Sequence, residues 1–386
     1  MTLSASQIGA RLRQAREGAH LQVGVAARAS ELTVSQLEDA ERGVGLTVEV
    51  VRRVAMAYGF AEEDLFTDTG DAIIDTAVSV LLRGDPHSDE LALHLGRLAA
   101  VCREQTLREE LLGQSARGRV TSFAHAGEPS HPAYRQAEAL AGQTRGVLDL
   151  GMAPVRSMSG LFQEIGVRLV WTDRLPEEIQ GLSLHDPQVG PSVIANLRGR
   201  AGQWWTLRST LAHELCHILY DRVPARPLGI TSRKDQRDDL EQRANAFAIY
   251  FLAPRSGVRQ LLMDRGRRPY ELDHNDVHAL MMHFGLGKDS ATRHLTNLDW
   301  ITEDQRRSLL GRRYPTEQDS DMESPFSQSD LIPFIGLGVD CERLGLVRPA
   351  VTAYERGLIT RGRLLEALGL SPFADVDALV EARPEP

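Results

Sequence analysis

The stretch Leu211-Ala212-His213-Glu214-Leu215-Cys216-His217-Ile218-Leu219 decides how this 386-residue chain is read. It sets two imidazoles four residues apart in an apolar run. Thr206-Leu207-Arg208-Ser209-Thr210 leads into it without a helix breaker, and Tyr220 continues it. A helix turns once in about 3.6 residues, so His213 and His217 share one face. One rigid element can therefore present both rings to a single zinc ion. Glu214 projects beside the metal's open position, where it can take a proton from a water that the metal activates. Without a cation, a buried carboxylate between two histidines would be costly.

Catalytic zinc takes three protein ligands and a water. A third ligand is available in Asp238-Asp239-Leu240-Glu241-Gln242-Arg243-Ala244-Asn245-Ala246-Phe247-Ala248, which reads as a second helix. Glu241 completes a His-His-Glu set. Asn245 lies one turn further on the same face, where its amide oxygen can accept the Nδ1–H of a ligating histidine and fix its tautomer. Cys216 is awkwardly placed for a thiolate ligand and reads as a packed helix residue.

These two segments, H-E-L-C-H and E-Q-R-A-N-A-F-A-I-Y-F-L-A-P, resemble the ImmA/IrrE family of metallopeptidases, whose pattern is HExxH followed by ExxANxFAxxLLxP. Val193-Ile194-Ala195-Asn196 and Trp204-Trp205-Thr206-Leu207 resemble that family's strand and the approach to its metal helix, so the likeness runs from Pro132 to Pro254 and, more loosely, over the helices beyond. It implies a small gluzincin-like metallopeptidase domain holding zinc or a similar divalent ion such as Mn2+. His213, His217 and Glu241 would be the ligands and Glu214 the general base. The family commonly has a small residue where Cys216 stands. Its members cleave a partner repressor, so the resemblance implies an XRE-type transcriptional repressor as protein substrate and a role in gene control under stress.

The N-terminal segments Ile8 to Glu17, Val25 to Ala29 and Leu32 to Gly43 resemble an XRE-type helix-turn-helix domain, in which Glu41-Arg42-Gly43 closes the recognition helix. Thr33 reads as its N-cap and Gly43 as its terminator. Val48, Val51, Val54, Ala55 and Tyr58 make a further apolar face ending at Gly59, and five short helices are expected before Phe66. By resemblance Thr33, Val34, Ser35, Gln36 and Arg42 fall in the DNA-contact region, with Gln36 suited to an adenine edge and Arg42 to phosphate. Glu38 and Asp39 oppose this, as does the balance of seven Arg, no Lys and nine acidic residues over residues 1–66. Two roles stay open: DNA binding, or a module for docking a repressor or for dimerisation, the last of which would make the chain a homodimer.

Length favours two or three domains. A hydrophobic content of 42% and a charged content of 25% are those of a globular protein, and a net charge of −9 argues against a general polyanion binder. Three scattered cysteines indicate no disulfide framework, and no targeting or membrane-spanning run is apparent, so a cytoplasmic, membrane-free chain is expected.

The fold class expected is α+β, mostly α. Residues 1–66 would form the helix-turn-helix domain, 67–113 a connector of two helices broken at Gly84-Asp85-Pro86, and 114–132 a linker. The metallopeptidase domain would span 133–260, a helix-turn-helix-like pair 261–313, a second linker 314–330, and a helical C-terminal region 331–386. Two strands are expected, at Val167 to Trp171 and Ser192 to Asn196. The second, Val193 to Leu197, reads either as an edge strand that pairs with an extended substrate or as an ordinary buried strand. Tyr220, Tyr250, His274, His278 and His283 are all chemically capable of stabilising an oxyanion. Met281 and Met282 beside His283 read as core packing rather than as ligands. Self-cleavage in the linker 114–132 is a further alternative.

Overall fold

A computed structural model describes residues 3–18, 21–58, 65–66, 89–114, 133–186, 190–199, 203–221, 228–232, 239–314 and 332–382. The first of the two connector helices and nearly all of both linkers fall outside these residues.

The chain opens with α1 (Ala5–Gly18), α2 (Val23–Ala29), α3 (Val34–Glu41) and α4 (Val48–Tyr58). Four of the five helices expected before Phe66 are thus seen, and most of the segment between Tyr58 and Phe66 is not among the described residues. Thr33 caps α3 in a reciprocal box: its hydroxyl accepts from the Gln36 amide at 3.2 Å, and the Gln36 side chain accepts from the Thr33 amide at 2.9 Å. Gly43 follows the helix with φ +82°, a left-handed conformation that suits glycine. Arg16 of α1 grips the buried Glu41 of α3 with two bonds of 2.6 and 3.0 Å. Val51, Val54, Ala55 and Tyr58 are buried as their spacing requires, whereas Val48 stands exposed at the first residue of α4.

Next come α5 (Asp89–Leu111), α6 (Ala133–Val147) and α7 (Met158–Ile165), then strands β1 (Arg168–Thr172), β2 (Ile179–Asp186) and β3 (Gly190–Asn196). They are followed by α8 (Trp204–Tyr220), β4 (Leu228–Ser232) and α9 (Asp239–Leu252). The sheet order is β1-β3-β2-β4; β1 runs parallel to β3, and the other neighbours are antiparallel. Two expected strands have become four. Gly181 interrupts the apolar pattern of β2, and β4 is only five residues long, so neither announces itself by periodicity.

The structure also decides between the two readings of the strand at Val193 to Leu197. Val193 to Asn196 belong to β3, which is paired on both sides and so is the ordinary buried strand of the two readings; among the described residues the edges are β1 and β4.

Side chains alternate across a sheet with period two, and here each face meets a different core. Trp171, Val193 and Ala195 pack toward α8, α9 and α6. Val170, Leu182, Leu184 and Ile194 pack toward the second core, with Leu95, Leu98 and Cys102 of α5 and the helix-turn-helix residues Leu12, Leu37 and Val54. An irregularity between Ile179 and Gly181 shifts the register and turns Ile179 to that second side. Helix α5 thus closes the back of the sheet.

Beyond Pro254 follow α10 (Arg255–Asp264), α11 (His274–Phe284), α12 (Lys288–Asn297) and α13 (Glu303–Leu310). Leu280, Met281 and Phe284 are buried, so the Met-containing segment packs as core. The fully buried Arg208 of α8 donates to Arg156 O at 3.0 Å and to Phe284 O at 3.4 Å, tying α8 to the end of α11. Last come α14 (Ile332–Gly336), α15 (Leu344–Glu355), α16 (Arg361–Leu368) and α17 (Val376–Glu381), with a core of their own that includes Phe334, Leu346, Val351 and Leu368 and takes in Val101 of α5. Among the described residues no helix is long and apolar enough to cross a membrane.

The helix-turn-helix unit depends on close approach of α1 to the end of α3. A Cβ on Gly9 would lie 2.5 Å from Gly43 N and 2.6 Å from Ala40 O, both backbone atoms that cannot swing aside. Gly9→Ala is expected to destabilise this unit by roughly 1–3 kcal/mol, the usual cost of overpacking. Thermal melting followed by circular dichroism checks this, and an unchanged midpoint would contradict the packing described.

Candidate metal centre

Helix α8 contains no Pro or Gly, and 13 of its 17 residues are buried. It lies between the sheet and α9, which explains apolar residues on nearly every side. His213, at 3% exposure, and Glu214, at 0%, are therefore polar groups in the interior. Interior charge must be compensated.

The compensation has a definite geometry. His217 Nδ1–H donates to Asp221 Oδ2 at 2.8 Å, and His213 Nδ1–H donates to Asn245 Oδ1 at 3.1 Å. With both Nδ1 protons directed outward, the two Nε2 atoms face each other at 3.0 Å. The Glu241 carboxylate comes from the first turn of α9, with Oε2 3.2 Å from His213 Nε2 and Oε1 3.3 Å from His217 Nε2. Three lone-pair donors at this spacing need a positive charge among them. Ligand atoms bound at about 2.0–2.1 Å to a tetrahedral zinc lie roughly 3.4 Å apart, so this donor set fits such an ion after a few tenths of an ångström of adjustment. His213, His217 and Glu241 are the one group of three or more metal-capable side chains that converges among the described residues.

The electrostatics agree. Burial disfavours a charged His217, but the Asp221 and Glu241 carboxylates outweigh it and raise its pKa to about 10. Burial likewise works against the Glu241 anion, and the two imidazoles overcome it and hold Glu241 down at about 2. The cluster stabilises a cation at its centre.

Glu214 lies against Gly181 of β2. A Cβ at that position would come within 3.3 Å of Glu214 Oε1 and 2.5 Å of Thr210 Cγ2, so glycine makes room for the carboxylate. Cys216 is fully buried, and burial raises its thiol well above the usual range, as expected for a packed residue.

Two residues were not anticipated. Asp221 holds His217 and is itself gripped by the buried Arg243 of α9. Asp221 follows His217 by one helical turn, so the spacing that pairs the two histidines also points to it. Arg243 carries no comparable signal, because a lone arginine on an amphipathic helix ordinarily faces solvent.

A groove of about 1570 Å³ opens at His213 and runs past Trp205, Ser209, Asn245, Ile249 and Met282. Small-molecule pockets are usually about 300–1000 Å³, so this one is large enough for a chain segment. Of the five residues chemically capable of stabilising an oxyanion, Tyr250 lines it. Tyr220 is occupied elsewhere, bonded to Leu140 O at 3.1 Å and Thr144 Oγ1 at 2.8 Å. His274, His278 and His283 are not among the groove's lining residues.

The DNA-contact candidates belong to a separate surface. Thr33, Val34, Ser35 and Gln36 are all exposed at the start of α3. The Gln36 side chain is engaged in the helix cap rather than extended toward a partner. Arg42, at the other end of α3, pairs with Asp39 at 2.5 Å.

Comparison with known proteins assigns both regions. Residues 7–66 match the family model described as a helix-turn-helix domain, and residues 206–296 match that described as an IrrE N-terminal-like domain. The second match contains His213, Glu214, His217, Glu241 and Asn245. No curated protein matches the chain. Residues 7–66 thus carry an XRE-type helix-turn-helix domain and residues 206–296 an IrrE N-terminal-like peptidase domain, the two parts that the resemblance to the ImmA/IrrE pattern implied.

Proposed function

We propose that this chain is a zinc-dependent endopeptidase that acts on a protein partner to control gene expression. The observation that carries the proposal is the convergence of His213 Nε2, His217 Nε2 and a Glu241 carboxylate beside the fully buried Glu214. When bound, zinc supplies Lewis acidity, which polarises a scissile carbonyl and makes water easier to deprotonate. Asn245 and Asp221 hold the Nδ1–H groups of His213 and His217, so neither ring can turn its Nε2 away. Arg243 keeps Asp221 in place. Glu214 takes the proton of the attacking water on its carboxylate and passes it to the leaving amine. Its burial excludes bulk water, which would otherwise compete for that proton.

The groove supports a polypeptide substrate, because it extends from the site between α8, α9, α11 and α12. The helix-turn-helix domain supports a regulatory setting, and an XRE-type repressor in the cytoplasm is the substrate we favour. The exposed start of α3 supports a second role for that domain as a DNA reader, despite Glu38 and Asp39 on the same helix. In that alternative the metal module binds or senses without cutting.

Glu214→Gln removes the proton carrier and leaves the ligands intact. It is expected to retain metal and lower repressor cleavage by about 10²–10⁴-fold, measured as cleavage rate beside metal content. Cleavage equal to wild type would eliminate the peptidase reading. Asp221→Asn should weaken metal affinity by roughly 10–100-fold in a chelator competition, with an increased rate of metal loss. Unaltered affinity would show that Asp221 does not orient His217. Stripping the metal with a chelator should abolish cleavage, and added zinc should restore it; activity that persists after verified removal would contradict the metal's role.

A further inference from the structure

A second cavity, of about 540 Å³, lies where α4, α5 and the C-terminal helices meet, and it shares no lining residue with the groove at His213. Seven arginines and six carboxylates line it. The carboxylates are largely engaged. Arg174 binds both Asp340 and Glu342; Glu366 takes Arg52 at 2.9 Å and Arg363 at 3.0 Å; Glu49 takes Arg53 at 2.8 Å. Glu104 is held by Arg108, which does not line the cavity, and Glu31 lies 4.0 Å from Arg53.

Two of the lining arginines differ from these. Arg97 donates to Ala29 O at 3.1 Å, and Arg343 donates to Ala367 O at 2.6 Å and Glu366 O at 3.5 Å. Neutral carbonyls orient a guanidinium without neutralising it. Gly369, with φ +69°, provides a seat for Arg343, since a Cβ there would lie 2.9 Å from Arg343 Nε. Burial lowers the Arg343 pKa, and the surrounding carboxylates do not fully offset it. Ala57, Ala100, Val101 and Leu107 add apolar surface to the same cavity.

Guanidinium forks match phosphate and carboxylate groups, and a volume of about 300–1000 Å³ suits a small molecule. We propose that this cavity binds a small organic anion, its phosphate or carboxylate head on Arg97 and Arg343 and its apolar body against α4 and α5. The bound molecule touches the helix-turn-helix domain, the helix behind the sheet and the C-terminal helices together. There the ion pair between Arg52 and Glu366 already joins the first of these to the last.

The test uses the full, zinc-loaded chain with adenosine monophosphate as the phosphate probe and benzoate as the carboxylate probe, both weak zinc ligands. Equilibrium dialysis should detect one molecule per chain for at least one probe. Millimolar amounts of that probe should raise the thermal midpoint by about 2 °C or more. Whichever probe acts identifies the head group. Arg97→Ala, at an exposed position, should weaken binding at least tenfold, and Arg343→Ala should do the same. If the Arg343 variant fails to fold, the Arg97 variant decides. Absence of binding by both probes, or binding unchanged in Arg97→Ala, would overturn the proposal.

Discussion

Two imidazole nitrogens 3.0 Å apart, with a carboxylate 3.2 and 3.3 Å from them, form an arrangement that needs positive charge at its centre, whether a proton shared between the groups or a metal ion. Much of the surrounding architecture maintains it. Asn245 and Asp221 fix the ring orientations from α9 and from the end of α8, and Arg243 returns from α9 to anchor Asp221. Arg208 ties α8 to the end of α11, while α6 packs against α9 and supports the helix that delivers Glu241. The His-His-Glu cluster is therefore a joint between two helices, and bringing them together assembles the site.

The sheet connects this joint to the rest of the chain. Its front face packs on α8, and Gly181 allows β2 to approach close enough to enclose Glu214. Its back face shares a core with α5 and the helix-turn-helix domain, and α5 also contributes Val101 to the C-terminal core. The catalytic candidate and the regulatory domain are thus separated by one layer of strands. Helix α5 lines the arginine-rich cavity and packs on the back of the sheet whose front face meets the metal helix.

Sequence reading recovers those features that depend on local spacing. His213 and His217 share a face because they are four residues apart. Glu241 and Asn245 do so for the same reason, and Thr33 is the N-cap its position suggested. It fails where placement depends on contacts distant in the chain. β2 was hidden by the glycine that Glu214 requires, and whether β3 lies at an edge or inside the sheet stayed open because strand order is not written in a strand's own residues. Asp221 was within reach of the spacing argument. Arg243 was not, since its burial follows only from the meeting of α8 and α9.

X-ray absorption at the zinc edge of the zinc-loaded chain tests the central claim most directly, because it reports the atoms bound to the metal. The account predicts one zinc per chain with nitrogen and oxygen neighbours at about 2.0–2.2 Å, including two imidazoles, and no sulfur despite the adjacent Cys216. A sulfur neighbour at about 2.3 Å, or a chain that binds no zinc while His213, His217 and Glu241 are intact, would contradict it.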